Sequence, residues 1–321
     1  MTRAATRRAH IAALGGGTGL AALLRGLKRG PLDITAIVTV ADDGGSSGRL
    51  RRDLGILPPG DIRNCLVALA DDESLMGRLF QHRFADGDLS GHPFGNLFLA
   101  ALAEVTGGFD LAIQECSHVL KIRGEVLPST LDSIRLWAER ADGRAVCGET
   151  RIAEGDGPCR RVWLEPEPVA HPPALAAIER ADLVLLGPGS LFTSVLPHLA
   201  VPAIARALAD TDALRVYVCN VMTQPGETDG FDAADHLDRV LETAPGCVDV
   251  VVVHDGPLDP AAASLYAAEG QEPVPPVIAR LRRRGVRVVA GDLAEADSLV
   301  RHAPEALAPV LMGLARDAIT R

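Results

Sequence analysis

The chain has 321 residues, of which 47% are hydrophobic, so it can bury a substantial core as one large α/β domain or two smaller ones. Its net charge of -10 at pH 7 argues against the broad basic surface of a non-specific nucleic-acid binder. No apolar run approaches the roughly 18 residues that a membrane helix needs, and the six cysteines are too scattered for a zinc site or a disulfide framework. These features predict a globular, cytoplasmic protein without nucleic acid as its main partner.

Short apolar runs alternate along the chain with segments of helical periodicity, which is typical of a parallel sheet flanked by helices. The predicted strands cover 10–14, 34–40, 183–186, 215–219, 249–253 and 286–290, and each ends at a glycine-rich or polar loop. Residues 1–10 are predicted to form a flexible tail, and 11–321 a single domain. Within it, short alternating pieces at about 121–170 predict a small β-rich insertion. The predicted fold class is therefore α/β, with a Rossmann-like, mostly parallel sheet.

The loop LGGGTGL follows the first predicted strand. A glycine turn that opens a helix offers free backbone N–H groups and the positive end of the helix dipole to a phosphate. The spacing is not the dinucleotide fingerprint, because Leu20 stands where a third glycine is needed, and no Walker-type lysine follows. A purely structural tight turn is the alternative to a phosphate cradle, whose candidate residues are Gly16, Gly17, Thr18 and Gly19.

The loop after the second predicted strand places two carboxylates, Asp42 and Asp43, before a glycine-rich stretch and several arginines. Neighbouring side chains of an extended segment point to opposite sides, so one acid could face a ligand while the other orients the loop. A carboxylate at this place can accept hydrogen bonds from ribose hydroxyls or hold a divalent cation that bridges phosphates. Mg²⁺ is therefore the one cofactor that the sequence suggests, with Asp42 and Asp43 as its ligands.

Polar residues around the next predicted helix starts could add donors and acceptors to the same site. The GSSG stretch supplies backbone and hydroxyl donors, and the guanidinium after it can form a charge-assisted hydrogen bond with phosphate. The segment PPGDIRN begins a helix, where ordinary capping by Asp61 is the alternative to ligand binding. His92 is expected to be structural and not an acid–base catalyst. The candidates here are Ser46, Ser47, Arg49, Asp61, Asn64 and Asn96.

Two further loops after strands mix glycine with hydroxyl and amide side chains. They are LLGPGSLFTSVLP (185–197) and CNVMTQPGETDGF (219–231). Ligands of parallel α/β sheets bind beyond the carboxyl ends of the strands, so both loops should face one crevice. Their neutral groups can form many hydrogen bonds with a nucleotide or a polyhydroxylated ligand, and the candidates are Gly189, Ser190, Asn220 and Thr223.

Seven motifs, taken together and in order, carry a resemblance to a known family. They are LGGGTGL, VTVADDGGSSGRLR, LGILPPGDIRNCL, GHPFGNLFLAAL, GPGSLFTSVLP, NVMTQPGETDG and AEGQEPV. This set resembles the YvcK family of bacterial proteins, often named gluconeogenesis factors, which is similar in fold to the phospholactate transferase CofD. The resemblance covers essentially 11–311 and implies a CofD-like, nucleotide-binding core.

For function, the resemblance implies binding of a nucleotide sugar, UDP-N-acetylglucosamine. It also implies a regulatory role that links carbon metabolism during gluconeogenic growth to peptidoglycan synthesis and cell shape, through protein partners and with homo-oligomers as an open question. A CofD-like transferase, which would move a phospho-acyl group from a nucleotide carrier to an acceptor alcohol, is the alternative. The long Gly-Ser-Ser-Gly-Arg continuation departs from the transferase pattern, so catalytic competence does not follow from the fold. An NAD-dependent dehydrogenase is disfavoured by the glycine spacing.

The resemblance also implies roles for particular residues. The glycine turn would lie under the ligand's diphosphate, and Asp42 and Asp43 would hold a metal or serve a transferred group if the protein is an enzyme. Asn220 and Thr223 would line the same crevice. Two later positions match nucleotide-sugar contacts, because a ring can stack on uracil and a guanidinium can bind phosphate: Tyr266 and Arg301. The alternatives are a half-buried helical tyrosine and a surface arginine that pairs with Glu305.

Overall fold

The computed structural model of the chain describes residues 7–70, 75–259, 264, 266–296 and 300–320, without the side chains of 295, 296, 300 and 301. Of the predicted N-terminal tail, residues 1–6 lie outside this description. The first strand begins at Ala9, so the predicted tail boundary is too late, because Ala9 is already buried in the sheet.

The described strands and helices alternate along most of the chain. The strands are β1 (Ala9–Gly15), β2 (Leu32–Val38), β3 (Glu125–Pro128), β4 (Arg135–Arg140), β5 (Ala145–Cys147), β6 (Cys159–Glu165), β7 (Leu183–Leu186), β8 (Leu214–Val218), β9 (Val250–His254), β10 (Arg287–Gly291), β11 (Ala294–Ala296) and β12 (Val300–His302). The helices are α1 (Gly17–Leu27), α2 (Gly45–Leu54), α3 (Gly60–Leu69), α4 (Leu75–Gln81), α5 (Phe94–Thr106), α6 (Phe109–Leu120), α7 (Glu149–Ala153), α8 (Pro172–Arg180), α9 (Leu196–Leu199), α10 (Pro202–Asp210), α11 (Ala233–Thr243), α12 (Ile278–Arg282) and α13 (Pro304–Ile319), with a π-helical turn at Leu191–Val195 before α9.

Seven strands form a parallel sheet in the order β10-β9-β8-β7-β1-β2-β3. The predicted α/β class and the mostly parallel sheet are confirmed, and all six predicted strands lie in this sheet. The continuous apolar runs of the inner strands are explained by helices on both faces of the sheet, whereas the edge strand β10 is partly exposed. In β9, for example, the run VVVVH is buried throughout. Helix α1 packs directly against both α3 and α13.

The structure contains the predicted β-rich insertion, but the insertion begins later in the chain than the predicted residue 121. β3 lies inside 121–170, but it pairs with β2 in parallel as the edge strand of the main sheet, with Thr35 opposite Glu125. Its four residues, EVLP, are too few to show a hydrophobic periodicity that would distinguish this strand from the short strands after it. The insertion proper is the antiparallel sheet β5-β4-β6 together with α7. A second small hairpin, β11-β12, was not predicted.

The strand order turns at β1, since β2 and β3 lie on one side of it and β7 to β10 on the other. In doubly wound sheets this reversal opens a crevice at the carboxyl ends of the strands, where ligands bind. Among the described residues no single helix is long and apolar enough to cross a membrane, although the bent pair Leu191–Leu199 and Pro202–Asp210 meets the length and composition of a span when taken together.

Candidate functional site

A cavity of about 450 Å³ lies at the carboxyl ends of β1, β7 and β8, where the strand order reverses. The loops after these strands form its walls, together with α7 of the insertion and the hairpin β11-β12. Nine of the predicted site residues line it: Gly16, Gly17, Thr18, Gly19, Gly189, Ser190, Asn220, Thr223 and Tyr266. Three of the four loops that the sequence singles out after strands therefore converge on one pocket, and the loop after β2 does not line it.

The glycine turn after β1 opens helix α1 without a capping side chain, so backbone N–H groups of its first turn point to the pocket. Gly17 has φ of 62°, a left-handed conformation that favours glycine. Gly19 is required by close packing, because a Cβ there would lie 2.7 Å from the carbonyl oxygen of Pro188. The turn is therefore both a tight structural turn and a possible phosphate cradle. Its glycines allow close packing against the loop after β7, and they leave backbone N–H donors for an anion.

The loop after β7 is held by Ser190. Its hydroxyl donates to the carboxylate of Glu227, and its oxygen accepts a hydrogen bond from the backbone N–H of Thr193 at 3.3 Å. This caps the π-helical turn Leu191–Val195, whose side chains are all buried. The second wall of the pocket is thus a rigid turn that presents hydroxyl groups.

The loop after β8 is pinned to the segment before α12. The backbone N–H of Thr223 donates to the carbonyl of Glu272 at 2.7 Å, and the Thr223 hydroxyl oxygen accepts from the N–H of Glu272 at 2.8 Å. Asn220 Nδ2 donates to Gln224 Oε1 at 3.3 Å. Tyr266 is buried and packs with Val221 and Met222 of the same loop, so its ring forms part of the pocket instead of a half-buried helix surface.

The two acids of the loop after β2 have different surroundings. Asp43 Oδ1 accepts hydrogen bonds from the backbone N–H and the hydroxyl of Thr150, both at 3.0 Å, and so ties the loop to α7 of the insertion. Asp42 Oδ1 accepts from the N–H of Gly44 at 2.8 Å, and its charge raises the pKa of the neighbouring Asp61. Asp43 therefore orients the loop, and Asp42 lies near Asp61.

Asp61 does not cap its own helix, so the predicted cap is wrong. α3 begins at Gly60 after Pro59 without a side-chain cap, and the Asp61 carboxylate instead accepts a hydrogen bond from the backbone N–H of Gly17 across the crevice. Burial raises the pKa of Asp61 to about 6, helped by the charge of Asp42 and opposed by the Gly17 hydrogen bond. One open donor at the start of α1 is thus occupied by a carboxylate.

Two further acids line the pocket and were missed as site residues. Burial raises the pKa of Glu227 to about 7 and that of Glu149 well above its ordinary range, where Asp61, Asp42 and Glu227 add to the effect. Glu149 Oε2 is buried without a hydrogen-bond partner among the described residues. Glu227 lies within the motif NVMTQPGETDG, but no local signal marks Glu149, which reaches the pocket only because the insertion folds back.

The insertion is fastened to the pocket by a buried arginine. Arg140 is only 2% exposed, and its guanidinium donates to the carbonyl oxygens of Gly226 in the loop after β8 and of Ile152 in α7. It also donates to the carbonyls of Gly157 and Arg151. These hydrogen bonds join the two segments that carry Glu227 and Glu149, so the insertion is a structural wall of the pocket.

Residues 11–294 match the family described as 2-phospho-L-lactate transferase CofD. This chain belongs to the CofD family. A relative from Nostoc sp. is 51% identical over 315 residues, which are 95% of this chain and 68% of that protein. Gluconeogenesis factors from Halalkalibacterium halodurans and Bacillus subtilis are 48% and 47% identical, over 92% and 97% of this chain and 93% and 99% of their own lengths.

The fold agrees with the same relationship. A crystal structure of a UPF0052 family member from Bacillus halodurans superposes with a TM-score of 0.93 at 46% identity and covers 96% of this chain and 99% of that one. The predicted resemblance to the gluconeogenesis factors with a CofD-like domain is therefore confirmed. Most of the pocket's walls come from loops of the matched region 11–294, and His302, Pro304 and Leu307 add a wall from beyond it.

The remaining predicted residues of this CofD-family chain bind other parts of the protein. Ser46 is buried, its hydroxyl forms a hydrogen bond with His92 Nδ1 at 2.8 Å, and its oxygen accepts from Asn96 Nδ2 at 3.0 Å. Burial lowers the pKa of His92 and the positive charge of Arg49 lowers it further, so His92 is a neutral structural partner of Ser46. None of these described side chains lines the pocket around Gly16–Gly19.

Three more predicted residues are also engaged in protein contacts. Ser47 Oγ accepts from the N–H of Gly60 at 3.1 Å, Arg49 donates to the carbonyl of Ser90 at 2.9 Å, and Asn64 Oδ1 accepts from Arg63 at 2.5 Å. The Arg301 side chain lies outside the described residues, and Glu305, its suggested partner, pairs with Arg29 at 3.2 Å. The polar side chains after β2 therefore form hydrogen bonds that hold this part of the protein together, and they do not line the cavity.

A metal ion does not fit Asp42 and Asp43 as a pair. Asp43 is turned toward Thr150, while Asp42 lies on the other side near Asp61. Across the described part of the chain, no three His, Cys, Asp or Glu side chains converge as metal ligands. No step of the chemistry is therefore assigned to Mg²⁺ at these two residues.

Proposed function

We propose that this protein binds UDP-N-acetylglucosamine or a related nucleotide sugar in the pocket between α1, Ser190 and Tyr266. In this proposal it is a cytoplasmic regulator that links gluconeogenic growth to peptidoglycan synthesis and cell shape. The bound state would be read by protein partners or by association of its own copies. The observation that carries the proposal is the combination of an uncapped glycine turn with hydroxyl and amide side chains around one cavity.

The cavity offers a site for each part of such a ligand. The first turn of α1 supplies the backbone donors of Thr18 and Gly19 and a dipole for the diphosphate. Ser190 and Thr223 can hydrogen-bond sugar hydroxyls, and the Tyr266 ring can stack on the base. Its volume of about 450 Å³ lies within the range of roughly 300–1,000 Å³ that is usual for small-molecule pockets.

The cavity lining favours a ligand that is bound through hydrogen bonds with neutral groups and not through ion pairs with cationic side chains. Among the described residues that line the cavity, none is Lys or Arg, while Glu149 and Glu227 are acids. A free phosphate or a highly charged triphosphate would find no cation there. A diphosphate esterified on both sides carries less charge, and its sugar can use the neutral side chains.

A thermal-shift titration tests the proposal. UDP-N-acetylglucosamine at about 100 times its dissociation constant should stabilise the folded protein by about 2.7 kcal/mol, and UDP, GDP and NAD should stabilise it less at equal concentration. Equal shifts with all four compounds, or none with the nucleotide sugar, would contradict it.

A CofD-like transferase is the second candidate, favoured by the acids with raised pKa values beside the pocket, since such groups serve as general acids or bases. The family name states this activity for other members. Incubation of the wild-type protein with Mg²⁺, a nucleotide-linked phospho-acyl donor and an acceptor alcohol should then give product, and Asp61→Asn should abolish it. Recovery of unchanged nucleotide sugar after long incubation supports the regulator instead.

A further inference from the structure

A second cavity, of about 550 Å³, lies at the edge of the sheet opposite to the pocket between α1, Ser190 and Tyr266. It is formed where β1, β2 and β3 begin and where α1 and α8 end, whereas the first pocket lies beyond the carboxyl ends of strands. Its described lining contains none of the predicted site residues, so this cavity has no part in the proposed function. Its charged residues are Arg8, Lys28, Asp33, Arg123, Glu125 and Arg180.

The charge of this second cavity is the reverse of that of the first. Four cationic side chains line it against two carboxylates. The described lining of the first pocket contains two glutamates and neither Lys nor Arg. Because the whole chain has a net charge of -10, this cavity concentrates positive charge on an otherwise acidic protein. A concave site lined by one sign of charge raises the local concentration of ligands of the opposite sign, here anions.

The two carboxylates of the second cavity are engaged with other groups. Asp33 lies 3.7 Å from the Arg8 guanidinium and 3.9 Å from His10 Nε2. Glu125 accepts a hydrogen bond from the Thr35 hydroxyl at 3.4 Å. Both acids therefore have partners on β1 or β2 and do not neutralise the remaining cations of the cavity.

Arg123 and Arg180 carry the charge that is left over. Both residues are exposed, and within the described parts of the chain neither guanidinium forms a hydrogen bond or an ion pair. Arg123 immediately precedes the edge strand β3, and Arg180 is the last residue of α8, so they reach the cavity from separate elements. Each guanidinium can donate two parallel hydrogen bonds to one phosphate group.

Backbone contacts fix the place of Arg123 and bring a further cation close to it. The N–H of Arg123 donates to the carbonyl of Leu69, the last residue of α3, at 2.9 Å. Lys28 Nζ donates to the carbonyl of the next residue, Ala70, at 2.5 Å. Arg123 and Lys28 therefore meet at the same end of α3, while Arg180 comes from α8.

We propose that the second cavity binds a small molecule that carries two phosphate groups, such as a sugar bisphosphate, with Arg123 and Arg180 each bound to one phosphate. The volume of about 550 Å³ lies within the range of roughly 300–1,000 Å³ usual for small-molecule sites and leaves room for a carbon skeleton between the phosphates. This site is independent of the nucleotide-sugar site, because the two cavities lie at opposite edges of the sheet.

Calorimetry with glucose 1,6-bisphosphate and glucose 6-phosphate tests the proposal. Wild type should bind the bisphosphate at least tenfold more tightly, because only this ligand can pair with both arginines. The double variant Arg123→Ala/Arg180→Ala should lose at least tenfold in affinity for the bisphosphate and most of this preference. The matched control is Arg282→Ala/Arg283→Ala, which removes the same charge from two exposed residues at the end of α12 and should bind within twofold of wild type.

Four results would overturn the proposal. They are no binding of the bisphosphate at millimolar concentration, equal affinity of wild type for the two ligands, an equal loss in the control variant, and displacement of the bisphosphate by UDP-N-acetylglucosamine, which would place it in the first pocket. A short DNA duplex that binds more tightly than the bisphosphate and depends on the same arginines would also overturn it, since the site would then be a nucleic-acid surface. All these variants change exposed side chains, so their folding is not at risk.

Discussion

The two sides of the pocket differ in charge and in the origin of their residues. One side consists of the loops after β1 and β7 and the first part of the loop after β8, Asn220–Gln224, which offer backbone N–H groups, hydroxyls and amides without charge. The other side carries Glu149 of the insertion and Glu227 from the later part of the loop after β8, with Asp61 of α3 and Asp42 beside them. Attraction for a phosphate must come from the neutral side, and the acidic side opposes it unless its carboxyls are protonated or neutralised.

The two sides also differ in how they are held. The neutral loops follow directly from strands of the parallel sheet, so the core fixes them. The acidic side depends on long-range contacts, such as the hydrogen bonds of Arg140 to Ile152 and Gly226 and of Thr150 to Asp43. The first side should tolerate changes in the insertion, and the second should not.

The largest effect is expected from the arginine that fastens the acidic side. Arg140→Met should lower the free energy of unfolding by about 3 kcal/mol, because it leaves several buried carbonyls without donors. Chemical denaturation measures this. The matched control is Arg144→Ala on the same hairpin, whose pair with Asp142 is exposed and should contribute little to stability. Similar small losses in both variants would show that the insertion is not fastened by Arg140.

The neutral side is tested by Gly19→Ala. The added Cβ would lie 2.7 Å from the Pro188 carbonyl oxygen, so overpacking should lower the free energy of unfolding by roughly 1–3 kcal/mol and displace α1 from the pocket. Affinity for UDP-N-acetylglucosamine should fall at least tenfold. The control is Gly313→Ala in α13, where a Cβ meets nothing within 4 Å and stability should rise by up to about 1 kcal/mol. Unchanged affinity in Gly19→Ala would separate this turn from binding.

On the acidic side we expect a substitution that raises the free energy of unfolding, in contrast to Arg140→Met and Gly19→Ala. Burial raises the pKa of Glu227 to about 7 from its unfolded value of 4.5, so the folded state holds a proton that the unfolded state releases between these pH values. Stability from this group is therefore lost as the pH rises from 4.5 through 7. Glu227→Gln, which mimics the protonated form, should be about 2 kcal/mol more stable than wild type at pH 8. The difference should shrink as the pH falls toward 4.5.

Thermal or denaturant unfolding over this pH range provides the measurement for Glu227→Gln. A stabilisation that is constant with pH would show that the carboxyl does not titrate there. The exposed Glu115→Gln, on the solvent side of α6, serves as the control and should show no such pH-dependent gain.

The smallest effects separate the two neighbouring acids. Asp43→Ala removes two hydrogen bonds to Thr150 and should cost about 1 kcal/mol of stability, with affinity for the nucleotide sugar unchanged. Asp42→Asn should leave stability within about 0.5 kcal/mol and raise affinity severalfold at low salt, because it removes a negative charge beside the pocket. Weaker Mg²⁺-dependent binding in Asp42→Asn would instead assign Asp42 to a cation.

The sequence permitted a correct prediction of the main sheet because its strands are apolar on both faces and end at recognisable glycine loops. β3 was misplaced because four residues, EVLP, carry no periodicity of their own, and its pairing with β2 is decided by the fold. The hairpin β11-β12, with three residues in each strand, lacked a signal for the same reason.

Within the site, the predicted residues that line the pocket are those on loops directly after strands, whose position follows from the sheet. Glu149 and His302 could not be predicted, because contacts between distant segments bring them there. Asp43, for example, holds Thr150 across 107 positions of the chain. For Asp61 only the alternative of an ordinary helix cap was wrong, since its partner is Gly17 and not its own helix.

A crystal structure of the protein with UDP-N-acetylglucosamine tests the division of the pocket most directly. We expect diphosphate oxygens within hydrogen-bond distance of the backbone N–H groups of Thr18 and Gly19, since that of Gly17 is bound to Asp61, and the base on Tyr266. The sugar hydroxyls should contact the neutral loops, with the carboxyls of Glu149 and Glu227 away from the phosphates. A nucleotide bound outside this cavity, or phosphates placed against the acids without an intervening cation, would contradict the account.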